Sequence, residues 1–189
     1  MNYTNQNQMT QKRVFENPVF GDKATFLKTA DETGGAYTLL EIELAPGGGN
    51  SLHTHSEFTE TFRTIQGPLT LQCNKMEKTL QPGESFTVPK RAVHLFKNLT
   101  DKKVTFEVEL QPGHAGFEKA IKIAYGLATD GLTNKKGIPT NLSHLAVLSS
   151  FSGTNPAGFM SVIVPFMKWV AMRARKNGIE QELIKKYCL

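Results

Sequence analysis

Histidine is scarce in this chain, five in 189 residues, and two of the five stand one residue apart in SLHTHSEFTE, Ser51 to Glu60. Along a strand, residues two apart project from the same face, so His53 and His55 can aim their rings at one point. Paired imidazoles suit a divalent transition metal, and a nearby carboxylate would supply a third ligand. Two carboxylates compete for that place. Strict alternation favours Glu57, which keeps the parity of the histidines, whereas Glu60 joins only through a bend or bulge. Geometry alone leaves both open, and an HxH on a strand is by itself a weak signal.

A second half of the site must come from elsewhere. In PGESFTVPKRAVHLFKN, His94 shares a strand face with Phe96 and Asn98, opposite Leu95 and Lys97. A third imidazole on a nearby antiparallel strand is what a facial or octahedral site needs. His114 and His144 lie in the C-terminal part and read as capping or core residues rather than catalytic ones.

These side chains need strands to hold them, and the first part of the chain supplies short alternating runs. In YTLLEIELA, Leu40, Ile42 and Leu44 take one face and Glu41 and Glu43 the other. Phe106, Val108 and Leu110 likewise oppose Glu107 and Glu109. ATFLKT, ETFRTIQG, LTLQCN, ESFTVP and HLFKN are similar, and PGGGN, QGP, QPGE and QPGH separate the runs as turns. Many short strands at this spacing predict an antiparallel sandwich or barrel.

After Gly113 the period becomes helical. AGFEKAIKIAYGLA predicts one helix, and TNLSHLAVLSSF a second with Asn141 as its N-cap. TNPAGFMSVIVPFMKWVAMRARKNG predicts a third, with Asn155 as N-cap, Pro156 in its first turn, Gly178 as its stop, and a kink or break at Pro165. IEQELIKKYCL predicts a short last helix. Met1 to about Asn17 is rich in Asn and Gln and is expected to be flexible or loosely attached. The domain reading is therefore a flexible segment over 1–17, a β-barrel over 18–113 and a helical extension over 114–189.

A resemblance follows from two spacings. Gly47, His53, His55, Glu60 and Gly67 are separated by five, one, four and six residues. Gly83, Pro89, His94 and Asn98 are separated by five, four and three. These runs resemble the two signature motifs of the cupin superfamily, and the fifteen residues between Gly67 and Gly83 resemble the short spacer of its compact bacterial members. Arg91 stands where the second motif usually has glycine, a turn position that carries no ligand. The resemblance implies a mainly β fold, a jelly-roll β-barrel of cupin type with a C-terminal α-helical extension. It also implies one divalent metal ion (Fe, Mn, Ni, Zn or Cu) held by His53, His55, Glu60 and His94. The chain would turn between His55 and Glu60, leaving Glu57 at the rim. A homodimer is implied in the same way.

Alternation from the ligands places Phe62, Thr64 and Phe96 inside with Arg63 outside, and Phe86 and Phe106 are expected as their companions. Phe62, Phe86 and Phe96 are the expected substrate-binding residues, favouring a small, largely apolar or aromatic ligand. The expected function is a small-molecule metalloenzyme of dioxygenase or isomerase/cyclase type. The alternatives are a non-catalytic cupin that binds a small ligand as a sensor or store, and an interaction protein working through its helical tail.

Charge bears on the tail. Residues 1–113 carry 12 basic and 13 acidic side chains, and 114–189 carry 10 and 4, so a net −1 faces a net +6. The part holding the histidines is close to neutral, which argues against nucleic acid as its partner. AGFMSVIVPFMKWVAM followed by RARK is too short for a membrane span but allows contact with a membrane surface. Packing of this helix on the barrel or across a dimer is the favoured expectation. The N-terminus has no apolar stretch of the kind that begins a secretory signal, and Cys73 and Cys188 form no CxxC pair. Free thiols in a reducing cytoplasm are expected.

Overall fold

Alternation of apolar and polar side chains builds the first part of the molecule, a computed structural model that describes residues 12–156 and 163–189. Ten strands run through it: β1 (Val14–Asn17), β2 (Asp22–Lys28), β3 (Thr38–Leu44), β4 (His53–His55), β5 (Thr59–Gln66), β6 (Leu69–Cys73), β7 (Met76–Leu80), β8 (Ser85–Val88), β9 (His94–Lys97) and β10 (Val104–Gln111). In β3 and β10 every second residue is buried, which turns Leu40, Ile42 and Leu44 inward beside Val104, Phe106, Val108 and Leu110. Each such side chain taken fully out of water contributes roughly 1.5–3 kcal/mol, and a one-residue slip would expose the whole set.

The strands form two antiparallel sheets. One has the order β1-β2-β3-β10-β5-β8. The other contains β4-β9-β6-β7 and gains an additional strand, β11 (Thr154–Pro156), beside β4. Phe26, Phe58, Phe62, Phe106 and the leucines at 40, 44, 69, 71, 80 and 110 fill the space between them. Asn98, fully buried, ties the end of β3 to the turn before β10: its amide donates to the carbonyls of Leu44, Ala45 and Lys102, and its Oδ1 accepts from the Thr100 amide.

Helices α1 (Ala115–Thr129), α2 (Leu142–Ser152), α3 (Val164–Lys176) and α4 (Ile179–Tyr187) follow. Two polar anchors dock α1 on the barrel. Buried Glu118 accepts from the Ala30 amide and the Thr38 hydroxyl, both at 2.6 Å, and the Tyr125 hydroxyl donates to Asp22 at 2.5 Å. Asn141 caps α2 as expected, accepting from the amides of Ser143 and His144.

Two boundaries differ from the sequence expectations. Val14–Asn17 is a strand paired with β2, so the barrel begins before Pro18; the rest of the segment expected to be flexible, 1–11, lies outside the described residues. Asn155 and Pro156 do not open a helix, because they pair with Thr54 and His53 in β11. Proline is tolerated there because β11 is an edge strand. The third helix starts only at Val164, at the place where the sequence expects a break, beside Pro165. Pro165 sits in the first turn of α3, where its missing N–H would have no intrahelical acceptor. The stretch 157–162 of that expected helix lies outside the described residues.

Candidate metal centre

The two sheets divide the candidate ligands between them. His53 and His55 come from β4 and His94 from β9, where it stands opposite His53 on one side and Cys73 on the other. Glu60 comes from β5 in the facing sheet, opposite Leu110 and Val88. The chain bends through Ser56 and Glu57, so the parity change between His55 and Glu60 follows from a strand ending and another beginning. One ligand atom from each of His53, His55, Glu60 and His94 lies within 4.8 Å of the others. His55, Glu60 and His94 are buried and His53 is half-buried, so the cluster has one side nearer solvent.

The hydrogen bonds bear on what the cluster could hold. His53 Nδ1 lies 2.7 Å from the Ser51 carbonyl and His94 Nδ1 lies 3.0 Å from the Ala92 carbonyl. A carbonyl only accepts, so both Nδ1 atoms carry the proton and, in the neutral rings, both Nε2 atoms present lone pairs. Those nitrogens face further titratable groups: His53 Nε2 is 3.0 Å from His55 Nε2, and His94 Nε2 is 2.8 Å from Glu60 Oε2, to which a protonated His94 would donate. Glu60 Oε2 is also 3.6 Å from His55 Nε2. Nitrogens and a carboxylate gathered this closely in a buried site call for protons or a cation among them. A divalent cation meets that need at all four atoms, and three imidazoles with one carboxylate suit a transition metal.

Electrostatics within the cluster agree. Burial pushes the His55 imidazole down to about 4, against the pull of the Glu60 carboxylate. Burial also lowers His53, and the neighbouring His94 adds to the effect. Burial pushes His94 the same way, yet its hydrogen bond to Glu60 and that carboxylate's charge carry it above the ordinary histidine value. Burial pushes the Glu60 carboxyl up, but its hydrogen bond with His94 and the positive charge there carry it below the usual carboxylate range. A site with two neutral imidazoles and an ionised carboxylate near neutral pH needs to lose little to receive a cation.

Glu57, the carboxylate that strict alternation favours, is exposed and accepts from His114 Nε2 at 3.0 Å. His114 caps α1 as expected, its Nδ1 accepting from the Phe117 amide at 2.8 Å. Phe62 and Thr64 turn inward and Arg63 turns outward to pair with Glu107. The Phe62 ring is 6.5 Å from the His94 ring, and Phe62, Phe96 and Phe106 pack on one another at 5.2–6.2 Å. Phe62 is fully buried, so it backs the ligands, while half-buried Phe96 is more accessible. Phe86 lies beside Phe62 across the β5–β8 pair, with the Lys78 ammonium 5.9 Å from its ring centre.

Three contributors carry no legible signal in the sequence. Phe58 stacks on the His55 ring at 4.5 Å, and Phe117 of α1 meets both rings edge-on at 5.9 and 5.6 Å. Thr154 pairs with His55 across β11 and β4, and its hydroxyl lies 3.2 Å from His55 Nδ1. The helical extension thus reaches back to the ligand strand. With metal on Nε2, Nδ1–H would donate to this hydroxyl and hold the ring in place. Thr154→Val is expected to weaken metal binding about 10–100-fold, with Thr154→Ser close to the parent protein. Competition with a chromophoric chelator measures this; equal affinity for the valine variant would remove Thr154 from the site.

Residues 40–110 match the family model for the cupin domain. Germin-like protein subfamily 2 member 2 of Arabidopsis thaliana is 39% identical over 66 residues, covering 32% of this chain and 30% of that protein. The rhicadhesin receptor of Pisum sativum is 38% identical over 66 residues, with the same 32% and 30% coverage. The chain thus spans less than a third of the length of these relatives. Among solved structures, an RmlC-like cupin from Shewanella frigidimarina is 17% identical at a TM-score of 0.48, covering 62% of this chain and 94% of that one. KdgF from Halomonas sp. is 15% identical at a TM-score of 0.46, covering 50% and 82%. With the cupin model spanning β3 to β10, and the two signature motifs placing three histidines and a glutamate together between antiparallel sheets, residues 40–110 of the chain form a cupin domain.

Proposed function

We propose that this protein is a small-molecule metalloenzyme, acting on a small, largely apolar or aromatic substrate that bears an oxygen ligand. The observation that carries the reading is the convergence of lone pairs from His53, His55, Glu60 and His94 in a buried, aromatic-walled site. A divalent metal there would supply Lewis-acid polarisation of a substrate oxygen and, if redox-active, access to dioxygen chemistry. The chain's own residues do the rest. The carbonyls of Ser51 and Ala92 orient His53 and His94, while Phe58 and Phe117 shield the His55 side from water. Phe96 and the half-buried edge at His53 are the surfaces offered to a ligand, with Phe62 behind them and Phe86 further off. The same reading carries a cytoplasmic location, supported by two unpaired cysteines, and a homodimer paired through its sheets.

Elemental analysis of protein purified without added metal is the first test, with about one transition-metal ion per chain expected. Oxygen uptake by the iron-loaded protein with diketones, catechols and thiols then tests dioxygenase chemistry. Deuterium exchange next to a substrate carbonyl tests the enolate route. Stoichiometric metal and tight ligand binding without turnover in either assay would make it a binding cupin, and absence of bound metal would overturn the reading.

A further inference from the structure

Helix α3 packs against α2 and α4 through Met167, Val170, Ala171 and Ala174. Its opposite face is unusual. Phe166, Trp169 and Met172 are 52%, 51% and 61% exposed, spaced three apart along one side of the helix. The Phe166 and Trp169 rings stack at 6.1 Å, and the Arg173 guanidinium lies 5.6 Å from the Trp169 ring centre. Lys168, Arg173, Arg175 and Lys176 share this helix with no acidic residue. Only Arg175 among them has a carboxylate partner among the described residues, Glu180 of α4.

We infer that this face of α3 docks on an anionic lipid surface. Three candidate occupants separate on charge and polarity. A second copy meeting the same face across a two-fold axis would set lysines and arginine against their own kind. A nucleic acid would satisfy the cations but offers no apolar phase for Phe166 and Met172. The boundary between headgroups and acyl chains receives both at once: aromatic and thioether side chains enter it while cations interleaved with them stay at the phosphates. Among the described residues no helix is long and apolar enough to cross a membrane, so the contact is one of lying on the surface. The surplus of basic residues in 114–189, 10 against 4 acidic, has the same sense. This inference is independent of the metal centre.

Trp169 is the only tryptophan in the chain, so its fluorescence reports directly on this face. The full-length protein is titrated with vesicles of phosphatidylcholine alone and of phosphatidylcholine mixed with phosphatidylglycerol. The mixed vesicles should shift Trp169 emission to the blue and co-sediment the protein at low salt, with loss of both at high salt. Lys168→Glu with Lys176→Glu should weaken this binding by at least about 5-fold per cation lost. Phe166→Ala with Met172→Ala should weaken it while leaving metal affinity unchanged. An unshifted Trp169 on mixed vesicles, or equal binding to the neutral ones, would overturn the inference. So would tighter binding to duplex DNA, or a lipid-free dimer that buries Trp169.

Discussion

Glu60→Gln is expected to weaken metal binding by more than about 100-fold, since even partners one step removed from a metal cost 10–100-fold. The amide keeps the shape but removes the only negative charge among the four ligands, and its NH2 group would confront the His94 and His55 lone pairs at 2.8 and 3.6 Å. Glu57→Gln, at the exposed bend, is expected to retain full occupancy. The same pair of variants separates stability effects. Metal at about 100 times its dissociation constant stabilises the folded state by about 2.7 kcal/mol, which the parent and Glu57→Gln should show on thermal unfolding and Glu60→Gln should not. Unchanged occupancy in Glu60→Gln would remove this residue from the site.

The metal-free protein should lose stability as pH falls from about 6.5 towards 4. His55 stands at about 4 in the folded state against 6.5 for a free histidine, so between those values the unfolded chain binds a proton that the folded one refuses. Stability therefore rises with pH across this window, by roughly 3 kcal/mol for a shift of this size, and His53 contributes in the same direction. His94 acts oppositely. Its raised value makes its contribution complete below 6.5 and lost only as pH rises through the folded value, so it does not offset the acid-side fall. Glu60, held low, adds its own loss only further down, below the ordinary carboxylate value of 4.5. Denaturant unfolding across pH, with and without metal, checks this. Saturating metal should raise stability but steepen its fall below pH 6.5, because the metal-bound protein refuses the proton on His94 as well, and a flat curve for the metal-free protein would contradict the burial of His55 as its cause.

The barrel and the four candidate ligands were legible because their signals are local. Strand alternation marks which face is buried, and motif spacing encodes the bend that lets Glu60 rather than Glu57 reach the histidines. Strand β7 escaped because four of its five residues are exposed, so nothing apolar alternates. β1 escaped inside a polar segment whose composition outweighed Phe15. The proline-bearing stretch at Thr154–Pro156 looked like a helix start because a cap residue followed by proline has two uses: it can open a helix, or it can run along a sheet edge.

Sequence by itself determined the candidate donors, three imidazoles and a glutamate, with Glu60 rather than Glu57 implied by the motif resemblance. Only the tertiary structure decided who orients and covers them. The carbonyls of Ser51 and Ala92 are backbone atoms with no identity in the sequence, and their direction comes from the turns that precede β4 and β9. Thr154 lies 99 positions from His55, and Phe117 comes from a helix whose anchoring to the barrel depends on Glu118. Contacts closed over such distances depend on how separate elements pack, which no local period records. For the same reason HTH in Ser51–Glu60 could be read as a pair of ligands, but not as a strand whose outer edge is closed by the extension.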